Sequence, residues 1–197
     1  MSYHHGDLRN ALVAAGELVL VESGVDALSL REVARRAGVS HAAPYRHFPD
    51  KQSLLVEIAI NGFRALSSAI DAAVDGSVPE PKARLLAALH AYVTFAAEHP
   101  EHLSLMFGPL ATMKPPSLES AALAAFSKLV DLTEAALEPH HARTPRARET
   151  VALTLWAQAH GLAALAKHVD FTALAPAPTN GSLVTTVLEK VVSATTR

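Results

Sequence analysis

His41, Tyr45, Arg46 and His47 stand close together in the chain, and each can donate a hydrogen bond to a phosphate oxygen or to the edge of a base. They belong to the segment LREVARRAGVSHAAPYRHFPDK, Leu30 to Lys51. Ahead of them, Ala34, Ala37 and Gly38 are small where two helices must cross closely. Gly38 can end a helix because a positive φ costs it nothing. Ser40 can then cap the next helix by accepting a bond from an unpaired N–H. Two short helices joined by a tight turn, with donors on the second, form the layout of a helix-turn-helix, whose second helix enters the major groove of double-stranded DNA. Ser29, Ser40, Tyr45, His47 and Lys51 suit phosphates, through hydroxyls, ring N–H groups and one ammonium at helix ends.

Helices on both sides must hold this segment. Asp7 can cap a first helix running to about Glu22, with Leu8, Leu12, Ala15, Leu18 and Val19 as its inner stripe and Ser23-Gly24 as its end. Ser29, with Glu32 three residues on, has the spacing of a capping box for the second helix, which turns Leu30, Val33 and Ala34 inward. Tyr45 and Phe48 are expected to supply the aromatic core of this three-helix unit, with the Tyr45 hydroxyl kept near the DNA. Pro49-Asp50-Lys51 then leads into a long fourth helix to about Val74. Further helices are expected over about residues 82–98, 100–107, 117–137, 146–167 and 182–194. The breaks between them include 76–81, Pro109, Pro115-Pro116, 140–145 and the Pro-rich 173–180. The expected fold is therefore all-α, with a head at residues 1–50 and a larger helical body at 51–197.

Composition narrows the function. Half of the 197 residues are hydrophobic, so a sizeable core can be buried. With no cysteine, disulfides, thiolate metal sites and cysteine nucleophiles are excluded, which fits a cytoplasmic protein. The first ten residues lack the apolar core of a signal peptide, and no long uncharged apolar run predicts a membrane span. The net charge is −2, which permits a local DNA-binding face but not a protein coated in nucleic acid. Cations gather between Arg31 and Lys51, although Arg35 and Arg36 also fit a solvated helix face. His99 and His102 lie beside Glu98 and Glu101, but without a His-Glu-x-x-His arrangement they read as helix-junction residues, so no metal is expected. No Gly-rich phosphate loop or nucleophile elbow is present, so neither an enzyme nor a cofactor is expected.

The head resembles the tetracycline-repressor (TetR) family of bacterial regulators. The resemblance is carried by Ser29-Leu30, Val33-Ala34, Ala37-Gly38-Val39-Ser40, Tyr45, His47-Phe48, Lys51 and Leu54. Ala42 departs from the usual glycine and Pro44 from the usual aliphatic residue. In the body, Trp156 and His160-Gly161 are similar to a subgroup with a Trp, His and Gly signature in its C-terminal domain. The resemblance implies that His41, Ala42 and Arg46 read bases, with Arg46 on guanine and Ala42 on a thymine methyl. It implies a homodimer on an inverted-repeat operator. Thr154, Ala157, Gly161, Ala164 and Leu165, with Leu183, Val187, Leu188 and Val191, are the expected interface; the alternative is that both stripes pack within one subunit. It also implies a small-molecule effector that releases a repressor from DNA. Its expected lining is Phe63, Tyr92, Phe95, His102, Met106, Phe107, Phe126 and Trp156, residue types that suit an apolar, adaptable pocket. The competing reading is a helical adaptor, or a small-molecule or metal-binding protein, that has lost specific DNA binding.

Overall fold

The computed structural model describes residues 5–137, 144–166, 168–169 and 183–196. The Asp7 side chain, the turn around His140-His141 and the Pro-rich stretch at 173–180 lie outside the described residues. Among those described, every regular element is helical: α1 (His5–Ala27), α2 (Leu30–Arg36), a 3₁₀ turn (Pro44–Arg46), α3 (Lys51–Asp75), α4 (Pro81–Glu98), α5 (Pro100–Phe107), α6 (Pro109–Thr112), α7 (Pro116–Ala136), α8 (Pro145–Ala166) and α9 (Leu183–Thr195). The expected helix boundaries hold to within a residue or two in the body. Only the one-turn α6 has no counterpart in the sequence reading.

The chain forms two compact units. One holds the described residues up to Phe63 together with Pro100–Ala122; the other holds Arg64–His99 and the described residues from Leu123 onward. Residues 100–122, expected within the body, pack instead in the first unit as α5, α6 and the start of α7, where α5 meets α1. Short apolar helices carry no label for the core they will join.

In the first unit, α1 buries Leu12, Val13, Ala15, Val19 and Leu20, α2 buries Leu30, Val33 and Ala34, and α3 buries Leu54 and Ile58. Gly16 lets α1 and α3 approach: a Cβ there would lie 3.0 Å from Ile58 Cδ1. The expected inner position of Leu18 is corrected, since it is solvent-exposed while Leu20 and Val13 are buried. α1 is apolar around nearly its whole circumference, so periodicity cannot choose its inner face. Gly24 adopts φ 77°, which kinks α1 near the Ser23-Gly24 end expected from the sequence and leaves a last short helical segment beyond it.

In the second unit, α4 and α8 form the main contact, joined by α9. Leu85, Ala88, Leu89, Tyr92 and Ala96 of α4 are buried, as are Ala152, Leu155, Ala159 and Ala163 of α8 and Leu188 and Val192 of α9. Small residues at 152, 159 and 163 permit close approach of the helices. The helix α3 contributes its first half to the first unit and its second half to the other. It is long and apolar enough to cross a membrane by length and composition (mean hydropathy 1.3), yet half of that stretch is buried within the protein, as in a core helix.

Candidate nucleic-acid interface

The turn before the expected reading element forms as its sequence dictates. Ser29 Oγ accepts a bond from Glu32 N–H at 3.2 Å and caps α2. The helix ends at Ala37 with Gly38 in the left-handed region, φ 68°. Gly38 N–H bonds to Arg35 O at 3.3 Å and Val39 N–H reaches back to Ala34 O at 3.0 Å, the two bonds of a Schellman ending. The capping box is half made. Glu32 turns its carboxylate to Arg35 Nε at 2.8 Å and to Arg36 Nε at 3.6 Å. Arg36 also pairs with Glu22. Hydrogen bonds from Arg36 and Arg35 hold Glu22 and Glu32, respectively, below the usual carboxylate range. Arg35 and Arg36 therefore belong to a solvated ion-pair cluster. Arg46 makes no ion pair among the described residues.

The reading element differs from expectation. It is a 3₁₀ turn of three residues, with no side-chain cap at its start. Pro44 has no N–H to bond back to Ser40, and the Ala43 N–H that a Ser40 hydroxyl could cap is taken by the Ser40 carbonyl at 3.0 Å. The expected Ser40 cap is thereby corrected. Arg46 N–H bonds to Ala43 O at 3.2 Å, and His47 and Phe48 N–H both reach Pro44 O at 2.9 Å. Pro44 and Phe48 are buried, whereas His41, Ala42, Tyr45 and Arg46 face outward and His47 is half-buried. Tyr45 is 53% exposed, so its expected place in the core is also corrected; the tight turn sends Pro44 inward instead. Ser29 and Ser40 are exposed as well. Lys51 Nζ donates to Val25 O at 2.6 Å, tying the start of α3 to the kinked end of α1. Asp50 caps α3, its Oδ1 accepting from Ser53 N–H at 2.7 Å.

The expected effector lining divides into two clusters. In the first unit, Phe63 and Phe107 meet edge to face with centroids 5.4 Å apart, Met106 lies against Gly62, and His102 also borders Gly62. In the second unit, the rings of Phe126 and Trp156 meet in a tilted contact with centroids 5.5 Å apart, as do those of Phe95 and His99 at 4.6 Å. His99 ends α4, as the helix-junction reading requires. The Tyr92 hydroxyl lies 2.7 Å from His160 Nδ1 and also engages the Trp156 side chain; burial pushes its pKa up to about 12. Trp156 and His160, one turn apart on α8, thus both engage a tyrosine of α4; Tyr92 and Trp156 were expected in one lining, whereas the bond to His160 has no signal in the spacing because the two residues are remote in the chain. An open groove of about 540 Å³ runs along α3 and α4, with Ala65, Ala69 and Ala73 on one side and Ala87, His90 and Phe95 on the other. Of the eight expected lining residues, it contains Phe95 alone. Its alanines are short apolar side chains of the kind found along any packed helix, so nothing local in the sequence marks them as a groove lining.

On α8, Thr154, Ala157, Ala164 and Leu165 are exposed, and nothing lies within 4 Å of where a Gly161 Cβ would sit. Leu153 adds a further exposed apolar side chain. The helix is thus apolar on both faces, one in the core and one in solvent. On α9, Leu183, Val187 and Val191 are half-buried. Leu188 is fully buried in its own subunit, which removes it from the expected interface.

Family models match both ends of the chain. One, for bacterial regulatory proteins of the tetR family, covers residues 12–58; the other, for a Tetracyclin repressor-like C-terminal domain, covers residues 85–190. A protein of unknown function from Rhodococcus sp. RHA1 is 36% identical, with a TM-score of 0.74 over 100% of this chain and 95% of that one. A transcriptional regulator from Rhodococcus sp. Rha1 is 25% identical, with a TM-score of 0.63 and 94% of each chain covered. An HTH-type transcriptional regulator from Mycobacterium bovis is 35% identical over 66 residues, which are 34% of this chain and 35% of that protein. The chain spans about a third of the length of these first curated relatives.

Proposed function

The chain belongs to the tetR family of bacterial regulatory proteins, and from that premise we propose that it is a dimeric, cytoplasmic repressor, not an enzyme, that a small molecule releases from an inverted-repeat operator. The reading rests on the outward presentation of Tyr45 and Arg46 between the buried anchors Pro44 and Phe48, with His41 and Ala42 exposed just ahead of them. Residues 1–50 act as the head and 51–197 as the body. Arg46 contacts a guanine edge, while Ser29, Ser40, Tyr45, His47 and Lys51 hold phosphates. One head offers few contacts, so affinity comes from a pair. A two-fold dimer presents its reading turns to successive major grooves, about 34–36 Å apart or a multiple of that. The exposed apolar face of α8, with the edge of α9, supplies the dimer contact.

Release requires a ligand that prefers the conformation unable to bind DNA. Because α3 contributes to both units, a ligand that shifts its second half also acts on its first.

The short 3₁₀ turn favours one second reading, an adaptor that keeps the fold without specific DNA affinity. Fluorescence anisotropy with duplexes from the protein's own promoter, across a salt series, separates the two. A repressor binds one sequence tightly with a steep salt slope. Arg46→Ala relaxes preference at particular bases, whereas Lys51→Met weakens all sequences alike. Equal weakening of every duplex by Arg46→Ala would overturn its base-reading role, and weak unspecific retention of all duplexes by the unaltered protein would favour the adaptor.

A further inference from the structure

We infer that Arg9 and Glu57 are positioning residues for DNA reading: they clamp Phe48, and through it the turn that presents Tyr45 and Arg46. The inference rests on the repressor reading above. The guanidinium carbon of Arg9 lies 5.3 Å from the centroid of the Phe48 ring. Arg9 Nη2 donates to Glu57 Oε2 at 2.6 Å, which fixes the guanidinium over that ring. Phe48 is 1% exposed, and its N–H bonds to Pro44 O at 2.9 Å. The exposed pair Tyr45 and Arg46 therefore hangs between two buried anchors, and the second anchor is held by a cation from α1 oriented by a carboxylate from α3.

The 3₁₀ turn makes this clamp matter. A full recognition helix would hold its own side chains through successive i→i−4 bonds. Here Pro44 removes one such bond, and three residues of 3₁₀ geometry are weak support. Side-chain packing from outside must supply the rigidity that the backbone lacks. Glu57 lies on the helix that carries the chain from the first unit into the second, so the clamp also gives α3 a grip on the reading turn.

The test uses full-length protein with Arg9→Met and Glu57→Gln. Each variant is expected to lower specific affinity about tenfold, as loss of a partly desolvated cation–π contact predicts. Affinity for random duplex and the salt slope stay as in the unaltered protein. Amide hydrogen exchange at Phe48 accelerates in both variants while the amides of α8 keep their rates. A salt slope flattened by about one unit in Arg9→Met would make Arg9 a phosphate contact and overturn the positioning role. Equal losses of specific and random binding, with faster exchange throughout the head, would mark a merely structural ion pair and overturn it as well. If the unaltered protein binds no sequence specifically, the repressor reading fails first and the positioning role falls with it; exchange at Phe48 then reports only whether the clamp itself exists.

Discussion

Tyr92→Phe offers a direct measure of the α4–α8 core. Burial raises the Tyr92 pKa from 10 to about 12, against a lowering contribution from its bond with Trp156. A folded-state pKa above the unfolded one means that the stabilisation is fully present below about pH 10 and is lost as pH rises toward 12. Two pKa units correspond to about 2.7 kcal/mol, of which about 2 kcal/mol is lost by pH 11.5. At pH 7 the variant loses the 2.7 Å bond to His160, at a cost of about 1 kcal/mol. The unaltered protein should therefore be the more stable at neutral pH and the less stable at about pH 11.5, with the two curves crossing between about pH 10 and 11. Urea unfolding of both proteins at matched pH values gives the difference, in which the other titrating groups largely cancel. A difference that stays flat from about pH 8 to 11.5 would refute the reasoning, because it would mean that the Tyr92 hydroxyl titrates as readily folded as unfolded.

Three further outcomes are expected. Gly38→Ala should cost about 1–2 kcal/mol in chemical denaturation, since the residue holds φ 68° with nothing within 4 Å of a new Cβ, so the cost is backbone strain alone. Leu165→Glu should leave circular dichroism and thermal stability close to unchanged, because the side chain is 52% exposed, yet convert dimer to monomer in analytical ultracentrifugation; a dimer that persists argues against the α8 face. Leu188→Ala should destabilise the subunit by about 2–5 kcal/mol, a core cavity and not an interface effect, and the loss should be independent of protein concentration in any monomeric background.

The head illustrates how far local chemistry reaches. Ser29, Gly38 and the long α3 are legible because each depends on nearby atoms: a hydroxyl three residues from an N–H, a backbone free to turn left-handed, and apolar side chains repeating along one helix. The same local logic failed for Ser40, because one carbonyl took the donor that a hydroxyl was expected to take. It failed for Leu18 because α1 is apolar on more than one face, and only packing against the helices around it selects the inner one.

What the chain determined alone was therefore its run of helices, the glycine-ended turn, and the donor-bearing segment from His41 to His47, all set by interactions within a few residues. Tertiary structure decided the rest. It sent Pro44 inward and Tyr45 outward, buried Leu188 while leaving Leu165 in solvent, and brought Tyr92 to His160 and Arg9 to Glu57 across 68 and 48 residues of sequence. Such pairings depend on which faces of separate helices meet, and no spacing along the chain encodes that choice.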